Sequence, residues 1–240
     1  MRTLALVLSL ALLTGCTDSP TSQVPDEVAV AKTVVGENPQ SADDLTDMGF
    51  AYLKAGRIEE ALEPLQKAVE MEPKSARALF QLGLAYGALG RHKEKMETYR
   101  NVLRLQPGFA PAHLKLGQAL AAEEHHQEAI HHYQTALKLA PRNADGHYYL
   151  GMSFFLSNRH KEAVEAFKQA TRLAPENGKT WHGLALAYME LGRYQEALVP
   201  LKKALKLNPR NSVPTGPTPP EPREIPQPYQ ERGQFAQVSG

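Results

Sequence analysis

An all-α solenoid of stacked helical hairpins is the fold the sequence predicts, and three observations predict it. Prolines stand at 39, 73, 107, 141, 175 and 209, each 34 residues from the next. Small residues recur on the same period: Gly49, Gly83, Gly117, Gly151 and Ala185 occupy one equivalent place, preceded by Met48, Leu82, Leu116, Leu150 and Leu184. Within each period the apolar positions fall at the three-, four- and seven-residue spacings that put side chains on one face of a helix. A unit this short must bury its apolar face against its neighbours, so tandem copies stack into an array.

The period divides the chain into five units, 42–75, 76–109, 110–143, 144–177 and 178–211. In the first, Ser41 can cap the free amides of a helix over 42–54, and Gly56 turns the chain into a second helix over 58–71. Ser75 and Gly90 serve helices over 76–88 and 92–105 in the same way, and the third unit places helices over 110–122 and 126–139. Asn143 and Asn158 frame 144–156 and lead to 160–173; Asn177 and Gly192 frame 178–190 and lead to 194–207. The second helices carry Ala61, Ala129, Ala163 and Ala197, then Leu65, Tyr99, Tyr133, Phe167 and Leu201, then Ala68, Val102, Ala136, Ala170 and Ala204. Proline at the end of each unit stops the second helix because it has no amide to donate. Three residues break the pattern. Lys95 replaces an alanine, so that contact loosens or the lysine stem lies over it with the amine in water. Pro64 and Pro200 fall inside second helices, where each should bend its helix by removing one hydrogen bond.

Trp181-x2-Leu184-Ala185-x2-Tyr188, Ala197-x3-Leu201 and Pro209 resemble the tetratricopeptide repeat, whose pattern reads W-x2-L-G-x2-Y, then A-x3-F, then P. The resemblance implies a right-handed superhelix of five helix-turn-helix repeats over 42–211, with first helices lining a concave groove that holds an extended peptide or a partner helix. Carried onto this chain, the groove would be walled by Asp43, Thr46, Phe50 and Leu53; Arg77, Phe80 and Leu84; and His113, Leu114 and Gln118. Asp145, Tyr148, Met152 and Phe155, then Lys179, His182, Leu186 and Met189, complete it, with Leu53 and Phe155 packing between neighbouring first helices. Members of the family that clamp a terminal carboxylate present lysine and asparagine where this chain has Phe80, Leu84, Leu114, Tyr148 and Met152. The ligand expected is therefore an apolar strand or an amphipathic helix.

The flanks read differently. Residues 1–15 contain Arg2 and an apolar run from Leu4 to Leu13, shorter than the roughly 20 residues that span a bilayer, and so form an export leader. Leu13-Thr14-Gly15-Cys16 resembles the bacterial lipobox, which implies cleavage before Cys16 and a lipid on its thiol. Cys16 is the sole cysteine, which excludes an internal disulfide. Thr17, not aspartate, follows it, so the location expected is the bacterial cell envelope, lipid-anchored at the outer membrane and facing the periplasm. Residues 16–41 read as a tether, and 212–240, with seven prolines, as a Pro-rich disordered tail. Pro214 and Pro217 forbid a sixth first helix. Leu198, Leu201, Leu205 and Leu207 therefore include candidates for an exposed edge, covered by the tail or by another molecule, a second copy included.

A balance of 27 basic and 26 acidic residues gives no electrostatic pull towards nucleic acid. His125, His126, His131 and His132 form the one cluster that suggests a metal, but helical zinc pairs need ligands four residues apart and this cluster lacks that spacing. They read as surface histidines, with no metal and no cofactor. No nucleophile elbow, zinc-protease motif or phosphate-cradling loop occurs, so no enzyme is expected. The function expected is a non-catalytic adaptor that binds protein partners through the groove during assembly of an envelope complex. The outline resembles outer-membrane pilotin lipoproteins that help type IV pilus secretins assemble. Two alternatives are a regulatory subunit of a cell-wall or polysaccharide-export enzyme, and a histidine-based metal-binding protein.

Overall fold

The computed structural model describes residues 41–208. The expected leader, the lipidated Cys16, the tether to residue 40, Pro39, Pro209 and the Pro-rich segment 212–240 lie outside the described residues. Among the described residues every regular element is an α-helix. In chain order they are α1 Ala42–Lys54, α2 Ile58–Met71, α3 Ala76–Ala88, α4 His92–Leu105 and α5 Ala110–Ala122, then α6 His126–Leu139, α7 Ala144–Leu156, α8 His160–Leu173, α9 Gly178–Glu190 and α10 Tyr194–Leu207. These spans coincide with those the 34-residue period predicts. No described helix is long and apolar enough to cross a membrane.

Caps start the first helices. The Ser41 hydroxyl accepts from the Asp44 amide at 3.1 Å while Asp44 Oδ2 accepts from the Ser41 amide at 3.3 Å, a reciprocal pair that satisfies two free donors of α1. Ser75 accepts from the Ala78 amide, Asn143 from Gly146 and Asn177 from Lys179. Only α5 lacks a side-chain cap among the first helices: Phe109 precedes it and Pro111 in its first turn has no amide to satisfy. The hairpin turns need a left-handed residue, supplied by Gly56, Gly90, Asn158 and Gly192 and, in the third unit, by Glu124 at φ 63°. Glutamate there carries a steric cost that glycine does not.

The first four hairpins close by fitting a large side chain of the second helix against the small residue of the first. A Cβ on Gly83 would lie 2.6 Å from the Tyr99 ring, one on Gly117 2.7 Å from Tyr133, and one on Gly151 2.8 Å from Phe167; Gly49 meets Leu65 likewise. The rings of Tyr99, Tyr133 and Phe167 are wholly buried as a result, each contributing on the order of 2 kcal/mol of apolar burial. Hairpins then stack: α2 packs on α3, α4 on α5, α6 on α7 and α8 on α9. First helices also meet the next first helix, α1 with α3, α5 with α7 and α7 with α9, which makes them the inner layer and the second helices the outer one. One apolar core runs from Met96 to Ala197 through the last four units.

The exceptions to the repeat resolve in particular ways. The Lys95 stem lies against Gly87, which has no side chain to obstruct it, and its amine reaches His92 Nδ1 at 3.3 Å. Pro64 and Pro200 are both buried, and α2 and α10 continue through them as single helices.

Candidate functional site

The inner layer carries a row of side chains one period apart: Phe50 on α1, Leu84 on α3, Gln118 on α5, Met152 on α7 and Leu186 on α9. Phe50 is exposed and the other four are half-buried, so four apolar surfaces separated by one amide face outward from consecutive first helices. Met189 and His182 extend this wall at its far end, both exposed, with Lys179 beside them. Phe80, Leu114 and Tyr148 form a second row but are partly committed to the core. Phe80 packs on Tyr99 and Phe109 at ring separations of 5.8 and 5.2 Å, and Tyr148 packs on Phe167 at 6.1 Å. Burial pushes the Tyr148 phenol up, and neighbouring Tyr149 adds to the shift. Leu53 and Phe155 are half-buried against the core clusters.

Three residues assigned to the groove do other work. Thr46 is buried, with its hydroxyl donating to Ala42 O at 2.7 Å. Arg77 is exposed but bridges α3 to α1 by pairing with Asp47 and, at 3.7 Å, with Asp43, so the cation and both acids at that end of the wall are already engaged. His113 is buried and points away from the wall. Its Nε2–H donates to Pro107 O at 3.0 Å, and its Nδ1 lies 2.9 Å from His132 Nδ1 on α6.

The bond from His113 belongs to a series. His147 Nε2 reaches Pro141 O at 3.0 Å and Trp181 Nε1 reaches Pro175 O at 2.7 Å, each residue one period from the last. In three of the joints between units, a ring N–H thus latches the carbonyl of the proline that ends the previous unit. The commitment of His113 Nε2–H leaves its Nδ1 as an acceptor, so His132 donates. Desolvation, then the neighbouring His113 and His131, pull His132 down to about 4. The histidine cluster is therefore divided: His125 and His131 are exposed surface groups as expected, whereas His132 is tied into the α5–α6 contact and His126 is half-buried. Among the described residues no three His, Cys, Asp or Glu side chains converge where a metal ion could sit.

A second periodic device went unread in the sequence although its spacing was visible there. Arg57, Arg91, Arg159 and Arg193 stack 4.9, 4.5, 4.5 and 4.9 Å over the rings of Tyr52, Tyr86, Phe154 and Tyr188 and pair with Glu60, Glu94, Glu162 and Glu196. Each arginine staples the end of a first helix to the first turn of the second. The third unit has Leu120 and His125 at these places and lacks the staple. On the outer layer an open cleft of about 720 Å³ lies over Leu150 and Phe154, but Arg159 and Glu162 in its wall are paired with each other.

Residues 75–212 match the family described as Cilia and flagella-associated protein 70 C-terminal domain, and residues 49–90 match the family described as TPR repeat. No curated protein matches the chain. Among solved structures, the crystal structure of MamA is 26% identical with a TM-score of 0.63, covering 68% of this chain and 95% of that one. A MamA from Desulfovibrio magneticus RS-1, residue 41 to its end, is 21% identical with a TM-score of 0.63, covering 78% and 98%. YrrB, described as a TPR protein with an unusual peptide-binding site, is 21% identical with a TM-score of 0.65, covering 77% and 95%. The last two likenesses show the fold alone.

Proposed function

The chain belongs to the tetratricopeptide-repeat family, and from that premise we propose that it is a non-catalytic scaffold whose inner wall binds a segment of a partner protein. The observation that carries this reading is the row Phe50, Leu84, Met152 and Leu186, kept partly open on four of five consecutive first helices although a self-sufficient array has no need of apolar side chains there. An apolar strand or the apolar face of a helix fits such a wall. The few charges at its N-terminal end are paired within the array, so burial and not ion pairing would supply most of the affinity. Phe50→Asp together with Leu186→Glu should abolish capture of the native partner in a crosslinking pull-down while circular dichroism stays unchanged. Partner recovery at the original level would remove the inner wall from consideration. These positions test the idea better than Phe80 or Tyr148, whose rings also hold the core.

In this proposal the scaffold works at the bacterial envelope, carried on a lipid at Cys16 and held off the membrane by the residues before 42, and it brings together components of an envelope assembly. The Leu13-Thr14-Gly15-Cys16 sequence behind an apolar leader supports the anchor. Cys16→Ser should move the protein from the membrane fraction to the soluble one; unchanged partition after carbonate washing would contradict the anchor and leave the binding wall standing.

A further inference from the structure

The final second helix exposes a face that its counterparts bury. Leu198 is 46% exposed where Met96, Ile130 and Val164 are 9% or less, and Leu205 is 41% exposed where Leu137 and Thr171 are buried. Among the described residues no first helix follows α10, which accounts for these two. It does not account for Val199, 70% exposed, at an outward position where the other units carry Glu63, Glu97, His131 and Glu165. The face is also basic: α10 holds Lys202, Lys203 and Lys206, and its one acid, Glu196, is paired with Arg193.

We propose that this face receives a helix from a different protein, one with a small residue at its centre, an aromatic residue one turn or so further on, and acidic flanks. The preceding joint supplies the template. There α9 lays Gly183 against the Phe167 ring of α8, and Lys168 of α8 sits 5.9 Å over the Tyr188 ring. Leu201 and Lys202 are the residues one period later, so the same small residue and the same aromatic would complete them. Acidic flanks answer the lysines, which no acid of α10 neutralises. The segment 212–224 that follows α10 in sequence offers no such helix, since it contains five prolines and no aromatic residue. A second copy is a poor occupant as well. Leu45, Tyr52, Leu65 and Ala68 of its acidic helices α1 and α2 are buried within the array, and pairing α10 with α10 would set lysines against lysines.

The test uses a fluorescein-labelled, hydrocarbon-stapled peptide with the sequence of residues 178–190 carrying Lys179→Glu and His182→Glu. Anisotropy with the full chain should give a saturable isotherm with a Kd below about 100 µM. Leu198→Asp should weaken it about tenfold or more, as should Lys202→Glu combined with Lys206→Glu, and Phe50→Asp on the inner wall should leave it unchanged. Both sets of positions on α10 are solvent-facing, and unchanged circular dichroism establishes that the variants fold. Absent saturation, or full binding by Leu198→Asp, overturns the proposal. So does a concentration-dependent dimer in light scattering that Leu198→Asp abolishes, because the face then belongs to a second copy. Loss of binding in Phe50→Asp also overturns it, by moving the peptide to the inner wall.

Discussion

Tyr133 shows how a repeat position can be right in shape and wrong in chemistry. Its ring fills the space left by Gly117, but its hydroxyl is buried with no hydrogen-bond partner among the described residues, and burial pushes the phenol's pKa up. The fourth unit solves the same contact with Phe167. Tyr133→Phe should therefore hold or raise stability, by up to about 1 kcal/mol, because it deletes an unsatisfied polar group and keeps the ring; a lower urea midpoint would mean that the hydroxyl has a partner. The ring position was legible from the period, whereas the missing partner was not, since it depends on what neighbouring helices bring to one point. Glu124 is the converse case. Glycine or asparagine marked the turn in four units, and only the backbone angle reveals that glutamate accepts the same left-handed conformation in the third.

At the level of elements, helix spans were readable because caps, turn residues and stop prolines agree in nearly every unit, and local preferences that agree with the tertiary period leave little freedom. The contact between α5 and α6 was not readable. His113 is nineteen residues from His132, and nothing in that spacing signals that one ring latches a proline carbonyl while the other donates to it. The pair can hold one added proton, but with two, N–H groups would oppose each other across 2.9 Å. His132 is faced by His113 across the pair, by His131 and Glu128 on its own helix, and by Arg100 on α4, so only Glu128 favours its charge. Its folded pKa of about 4 lies below the ordinary 6.5, so between those values the unfolded chain binds a proton that the folded chain refuses. Stability should then fall as pH drops from about 6.5 towards 4, by about 1–2 kcal/mol once solvent access is discounted. His132→Gln should flatten that dependence, measured as urea midpoints at neutral and acid pH; an unaltered slope would assign the acid sensitivity elsewhere.

Over the whole molecule, stability is the sum of hairpins and the joints between them, and the two ends differ from the middle. The fourth unit combines an Asn143 cap, the Arg159 staple and a fully buried Phe167, with neighbours on both sides. Among the described residues the last second helix has a neighbour on one side only. Amide exchange should accordingly be slowest in α7 and α8 and fastest in α10, and a uniform profile would show that the array opens as one body. Charge is distributed unevenly too: residues 42–75 carry eight acids and four bases, residues 178–208 five bases and two acids. The array was predictable as a whole because its architecture repeats, and the inner wall was predictable only in outline, because one row of the first helices stays open, as at Phe50, while the next row, as at Tyr148, also packs on the core.

The latch at the joint before α9 gives the protein a built-in optical gauge. Trp181 is the chain's only indole, and its N–H is held by Pro175 O. Emission colour and quenching by iodide therefore report whether that one seam is shut, with no dye attached, and stretching the coil lengthwise or filling its hollow can be followed by eye of a fluorimeter at a single known place.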